Sequence, residues 1–152
     1  MIRKYTTKDK SRVLELFRLN TPNYFDASEE SDFIKYLDHE REDYFVYEEH
    51  SKIIGVGGIN YSFEEKVACI SWDIIDPKWQ GRGIGKKLIQ FRINHINENP
   101  KIEIIRVRTS QYAFQFYGKM GFELDKIEKN YWAKNFDLYL MQMKNSLSNN
   151  SV

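Results

Sequence analysis

One short segment constrains this chain more than any other. An apolar run ending at Ile75 meets Asp76-Pro77, then glycines at every second position (Gly81, Gly83, Gly85), then a helical pattern from about residue 83 to 97. A strand, a glycine-rich turn and a helix start together make an anion cradle. The first-turn amides of a helix have no carbonyl partner within it, and the helix dipole leaves that end partly positive. Glycines keep side chains from standing between those amides and a diphosphate. Lys78, Arg82, Lys86 and Lys87 surround the same end and can meet an additional phosphate. Two familiar phosphate loops do not fit. A Walker loop needs glycine where Gln80 stands and Ser or Thr where Lys87 stands, and a dinucleotide fingerprint needs a later glycine where position 86 is Lys. The preceding strands also read as an antiparallel meander and not as a βαβ unit. The bland alternative is a tight turn that binds nothing.

The remaining elements follow from periodicity and punctuation. Residues 2–5 read as a strand. Thr6 or Thr7 caps a helix to about Arg18, with Val13, Leu14, Leu16 and Phe17 inward. Asp26 and Glu29 have capping-box spacing for a second helix burying Phe33, Ile34 and Leu37. Residues 44–49 and 52–61 form a hairpin about His50-Ser51, and residues 66–75 form a fourth strand. The helix after the glycine loop places Ile84, Leu88, Phe91 and Ile96 near one stripe. Residues 102–108 are a fifth strand. Residues 111–120 are a short helix stopped by Gly121 at a left-handed C′ position. Residues 122–128 and 136–143 close the order β-α-α-β-β-β-α-β-α-β-β. At 152 residues, this predicts a single domain over residues 1–144, with 145–152 a polar, disordered tail.

Charge and cysteine content narrow the classes. A net charge of +1 gives no global pull toward nucleic acid or membrane. The amino end has no apolar stretch of signal-peptide type, and the longest apolar run, residues 53–59, is too short to cross a bilayer. A single cysteine, Cys69, and three histidines without ligand spacing imply no disulfide framework and no metal site. The cytoplasm is the expected location.

Gln80-Gly81-Arg82-Gly83-Ile84-Gly85 resembles the Gln/Arg-x-x-Gly-x-Gly/Ala signature of the GNAT-type N-acetyltransferases. Tyr117-Gly118-Lys119-Met120-Gly121-Phe122 resembles their second signature. The two lie a helix plus a strand apart, and the element order matches along nearly the whole chain. The resemblance implies an α/β fold (an α+β mixed sheet) whose fourth and fifth strands splay apart around acetyl-CoA. It places the pantetheine arm against backbone at Asp73, Ile74 and Ile75, where a bulge would free an amide to polarise the thioester carbonyl. It places the diphosphate on residues 80–85, with Lys86 beside it. Ser110 or Gln111 stands where relatives often carry an Asn for the pantetheine.

By the same likeness Tyr117 faces the cofactor sulfur, next to Phe114 and Phe116. Ordinary values near 10 for Tyr and 8.5 for a thiol make full proton transfer to the thiolate uphill by about 2 kcal/mol. Tyr117 is therefore expected to hydrogen-bond the developing charge, or else only to pack beneath the cofactor. Deprotonating a lysine-like amine at pH 7 costs about 4–5 kcal/mol, yet the glutamates of relatives are replaced by Lys66-Val67-Ala68-Cys69 and Ile105-Arg106-Val107-Arg108. Asp73 lies nearest the acetyl position; Glu48, Glu49, Glu103 and solvent are the other candidates. Tyr24, Phe25, Trp72, Tyr131 and Trp132 form either an aromatic wall for the amine substrate or ordinary packing, and Asp26, Glu29 and Glu30 hint at a cationic acceptor. The resemblance leaves the oligomeric state open, a homodimer being common. The competing functions are an acyl-CoA-binding sensor without turnover and, on the basic stretch from Lys78 to Arg92, a nucleic-acid module that the near-neutral chain disfavours.

Overall fold

The computed structural model describes residues 1–146. Seven strands make one sheet in the order β1-β2-β3-β4-β5-β7-β6. They are β1 (Ile2–Lys4), β2 (Asp43–Glu49), β3 (Lys52–Ser62), β4 (Val67–Ile75), β5 (Ile104–Thr109), β6 (Glu123–Ala133) and β7 (Phe136–Lys144). The helices α1 (Lys10–Leu19), α2 (Glu30–Lys35), α3 (Ile84–Asn97) and α4 (Phe114–Lys119) interleave with them in the expected order. Only β4 and β5 run parallel, and α3 is the crossover their direction requires. No helix among the described residues is long and apolar enough to cross a membrane.

The sheet separates two cores. One packs Ile54, Ile59, Ile70, Ile105 and Val107 against Ile84, Leu88, Ile89, Ile93 and Ile96 of α3 and Tyr117 of α4. The other packs Val46, Val56 and Ile74 against Val13, Leu16 and Phe17 of α1, Phe33 of α2, and Tyr36 and Leu37 just after it. The capping boxes at Thr6/Asp9 and Asp26/Glu29 both form, starting α1 and α2 through single 3-10 turns.

Two features of β4 position the site. Its parallel pairing with β5 covers only Val67 to Ile70 against Ile104 to Val107; beyond that the strands part, in line with what the resemblance implies. Against β3 the register skips, since Val56 faces Ile74 while Gly58 faces Ser71. One extra residue therefore sits in β4 near Trp72, whose φ of 49° is left-handed. Ile70 and Ile74 are four apart and would share a face of a regular strand. The bulge sends Ile70 to the α3 core and Ile74 to the α1–α2 core.

Two expectations need correction. Phe91 is 37% exposed, its ring edge-on to Phe45. The buried arc of α3 runs through Ile84, Leu88, Ile89, Arg92, Ile93 and Ile96, so it centres on Arg92 and leaves Phe91 at its margin. Asn145, assigned to the tail, is fully buried, and its side-chain amide donates to the carbonyls of Ile102 (2.8 Å) and Asn99 (3.4 Å). The rest of the expected tail, residues 147–152, lies outside the described residues.

Ile74→Ala leaves a cavity on the side to which the bulge directs it. It is expected to lower unfolding free energy by about 2–5 kcal/mol in urea denaturation; a change near zero would mean that the side chain is not packed in that core.

Candidate active site

The parting of β4 from β5 opens a cleft of about 910 Å³. At one end lies the start of α3. Gly81 and Gly83 take φ of 81° and 82°, with open space where a Cβ would point. Conformation, not crowding, thus demands glycine there. Ile84, Gly85 and Lys86 form the first turn of α3, and their amides have no hydrogen-bond acceptor among the described residues. The turn before them is held by Asp76, which is buried; its carboxylate caps the Lys78 amide (3.0 Å) and accepts from Arg12 (2.9 Å). Gln80 donates to Asn20 (3.2 Å) and, more weakly, to the Ile75 carbonyl (3.4 Å), tying the loop to the end of α1.

At the other end is a buried polar chain. The Tyr117 hydroxyl donates to Asp73, and the other Asp73 oxygen meets the Arg92 guanidinium at 2.5 Å. That second contact is an ion pair without an aligned hydrogen bond, since Asp73 Oδ1 has no aligned donor among the described residues. Tyr117 is wedged edge-on between Phe116 and Phe122. Burial, with the Asp73 charge beside it, holds its hydroxyl pKa well above 10. Tyr117 thus keeps its proton throughout the neutral range.

Between these ends the cleft is lined by Ile74, Ile75, Gln80, Gly81, Gly83, Ile84, Gly85, Lys86 and Ser110, and on the α2 side by Tyr24, Phe25 and Trp72. Phe25 and Trp72 also stack on each other and pack with Phe17 and Phe33, so the wall and the core are the same rings. Arg82, Gln111, Phe114 and Tyr131, expected to touch cofactor or substrate, do not line the cleft. Arg82 lies over the Trp79 ring, and Phe114 packs on Tyr139. Gln111 ties the α4 approach to the β6–β7 turn through the Asn135 carbonyl and the Asp137 amide. Tyr131 takes a hydrogen bond from Arg108 at the half-open rim. Glu48, Glu49 and Glu103 stand outside the cleft, with Glu48 paired to Arg3 and Glu103 to Lys66.

Several lining groups were not anticipated. Arg92 is the foremost, and its signal was a charged residue at the centre of an apolar i, i+4 series. A second is the trio of Tyr36, Asn60 and Ser71, in which the Tyr36 hydroxyl donates to Asn60 at 2.9 Å. Burial pushes the Tyr36 pKa up to about 12. Glu29, read first as a capping residue, also lines the cleft; its carboxyl is pushed up by burial while it accepts from the Asp26 amide.

Residues 19–145 match the family model described as an acetyltransferase (GNAT) domain. An N-alpha-acetyltransferase of Sulfurisphaera tokodaii is 26% identical over 158 residues, covering 92% of this chain and 90% of that protein. The UPF0157 protein YqkA of Bacillus subtilis is 26% identical over 132 residues, covering 81% of this chain; the chain spans only 38% of that relative's length. Among solved structures, the ribosomal-protein-S18-alanine N-acetyltransferase of Escherichia coli superposes with a TM-score of 0.81 at 16% identity, covering 100% of this chain and 97% of that one. The yncA protein of Salmonella typhimurium, solved with its cofactor acetyl-CoA, has a TM-score of 0.71 at 15% identity, with 95% and 93% covered.

A β-branched residue at the φ of Gly83 is strained by about 1–2 kcal/mol or more, which distorts the turn that presents the free amides. Gly83→Val is therefore expected to weaken acetyl-CoA binding about tenfold or more by calorimetric titration, with cooperative unfolding retained. Unchanged affinity would remove the anion-cradle role.

Proposed function

This chain belongs to the GNAT acetyltransferase family, and we propose that it moves an acetyl group from acetyl-CoA to a primary amine by direct attack. The observation that carries this reading is one continuous cleft running from the free amides of Ile84, Gly85 and Lys86 to the hydroxyl of Tyr117. The amides and the Lys86 ammonium suit the diphosphate. The parted backbone beside Asp73, Ile74 and Ile75 suits the pantetheine, and Ser110 faces it across the gap.

Acetyl-CoA supplies the acyl group as an activated thioester. The amine nitrogen bonds to the acyl carbon, the carbon–sulfur bond breaks, and sulfur takes the electron pair. The raised pKa of Tyr117 widens the gap to a thiol beyond the ordinary 1.5 units. Tyr117 accordingly turns its single hydroxyl proton from Asp73 toward the leaving sulfur, gives it a hydrogen bond and keeps the proton. The proton shed by nitrogen goes to Asp73, the carboxylate in contact with Tyr117, directly or through water, and ends on the thiol or in solvent. Tyr24, Phe25 and Trp72 form the acceptor wall. Glu29 in that wall favours an amine-bearing acceptor of small or peptide size. The same reading puts the protein in the cytoplasm, where the single Cys69 stays a thiol.

Thiol release from acetyl-CoA across a panel of amines tests the reading. Amine-dependent release supports it, while acetyl-CoA binding without release from any amine supports a sensor instead. Tyr117→Phe removes a hydrogen bond to a developing charge, worth about 1.5–3 kcal/mol. It is expected to slow kcat about 10–100-fold with acetyl-CoA affinity nearly unchanged; full activity would reduce Tyr117 to packing.

A further inference from the structure

Arg92 is the largest fully buried side chain described, 1% exposed in the middle of α3. A buried guanidinium is unfavourable unless each donor finds a partner. Its Nε donates to the Leu88 carbonyl one turn back (3.1 Å), and Nη1 donates to the Gly58 carbonyl of β3 (3.0 Å) while meeting Asp73. Two of these anchors are backbone, one on the helix and one on the sheet, so the planar fork cannot rotate without losing one.

β3 makes room for the arrangement. A Cβ on Gly57 would stand 2.5 Å from Asp73 Oδ1 and 2.6 Å from Arg92 Cζ. The ion pair thus occupies the volume that any other residue at position 57 would fill. The groups facing Asp73 are Arg92 from α3 and Tyr117 from α4, with Tyr44 of β2 and Tyr36 acting on the same pair from the other side. Arg92 is the one cation among them.

We propose that Arg92 is a positioning residue for acetyl transfer: its fork, pinned between α3 and β3, holds the Asp73 carboxylate so that its free oxygen faces the Tyr117 hydroxyl. It touches neither thioester nor amine. A purely stabilising ion pair has no need of the third member, yet Asp73 spends its second oxygen on the residue at the reacting end of the cleft. The inference rests on the reading of Asp73 and Tyr117 given under the proposed function.

The experiment compares Arg92→Met and Arg92→Lys with wild type and Tyr117→Phe. It reads kcat, KM for acetyl-CoA and, in unliganded protein, the downfield proton resonance of the Tyr117 hydroxyl, assigned by its loss in Tyr117→Phe. Arg92→Met is expected to lower kcat about tenfold or more, leave KM for acetyl-CoA within about twofold and shift or erase the resonance. Arg92→Lys keeps the charge and stem but not the fork, so its kcat should fall between the two. Should Arg92→Met fail to fold, Arg92→Lys decides: a reduced kcat with a shifted resonance supports the inference, and wild-type values of both overturn it. Wild-type kcat and resonance in Arg92→Met likewise overturn it, as does a loss confined to KM for acetyl-CoA. If Tyr117→Phe itself keeps full activity, the underlying reading fails instead.

Discussion

The single extra residue in β4 governs the rest of this structure. Side chains alternate across a strand, so inserting one residue inverts the faces of everything beyond it. With Trp72 in the left-handed region, the Trp72 ring joins the α1–α2 core while Asp73 turns to α3 and α4, where it meets Arg92 and Tyr117. Without the bulge Asp73 would face the α1–α2 side, opposite to both partners. A left-handed non-glycine residue costs about 1–2 kcal/mol, which the stacking of Trp72 on Phe25 and its tilted contact with Phe33 help to offset.

The bulge also sits where β4 leaves β5. A parallel pair that ended without such a device would leave backbone groups facing an apolar core, a costly arrangement. Here they face the cleft, and a ligand can use them. At the other end of the same strand the Asp76 turn, braced by Arg12, delivers α3 with its first amides bare. One strand thus sets both ends of the site, a helix start with bare amides and a polar chain, at a separation the cleft spans. Its buried ion pair is weak evidence for stability, because desolvation consumes most of the attraction. The pair reads more naturally as a means of fixing geometry.

Much of this was legible in the residues. The alternating glycines, the cap at Thr6, the Asp26/Glu29 capping box, the hairpin turn at His50-Ser51 and the element order all depend on local chemistry, and local chemistry is what a sequence displays. The bulge was anticipated only through the family resemblance, since nothing in Ser71-Trp72-Asp73 marks a left-handed tryptophan. Arg92 was read as part of a basic stretch because charge is usually solvated; only the i, i+4 series around it and the glycines of β3 hinted that it points inward. Phe91 went the other way, because the buried arc is centred by tertiary contacts that a hydrophobic count does not contain. Gln111 and Phe114 sit beside the cleft but not in its lining, and their neighbours in the β6–β7 hairpin are distant in sequence.

A crystal structure of the protein with CoA tests the central claim most directly. The account predicts diphosphate oxygens within about 3.2 Å of the amides of Ile84, Gly85 and Lys86, pantetheine lying between β4 and β5, and the sulfur in reach of the Tyr117 hydroxyl. CoA bound with its diphosphate away from the start of α3, or its thiol away from Asp73 and Tyr117, would contradict it.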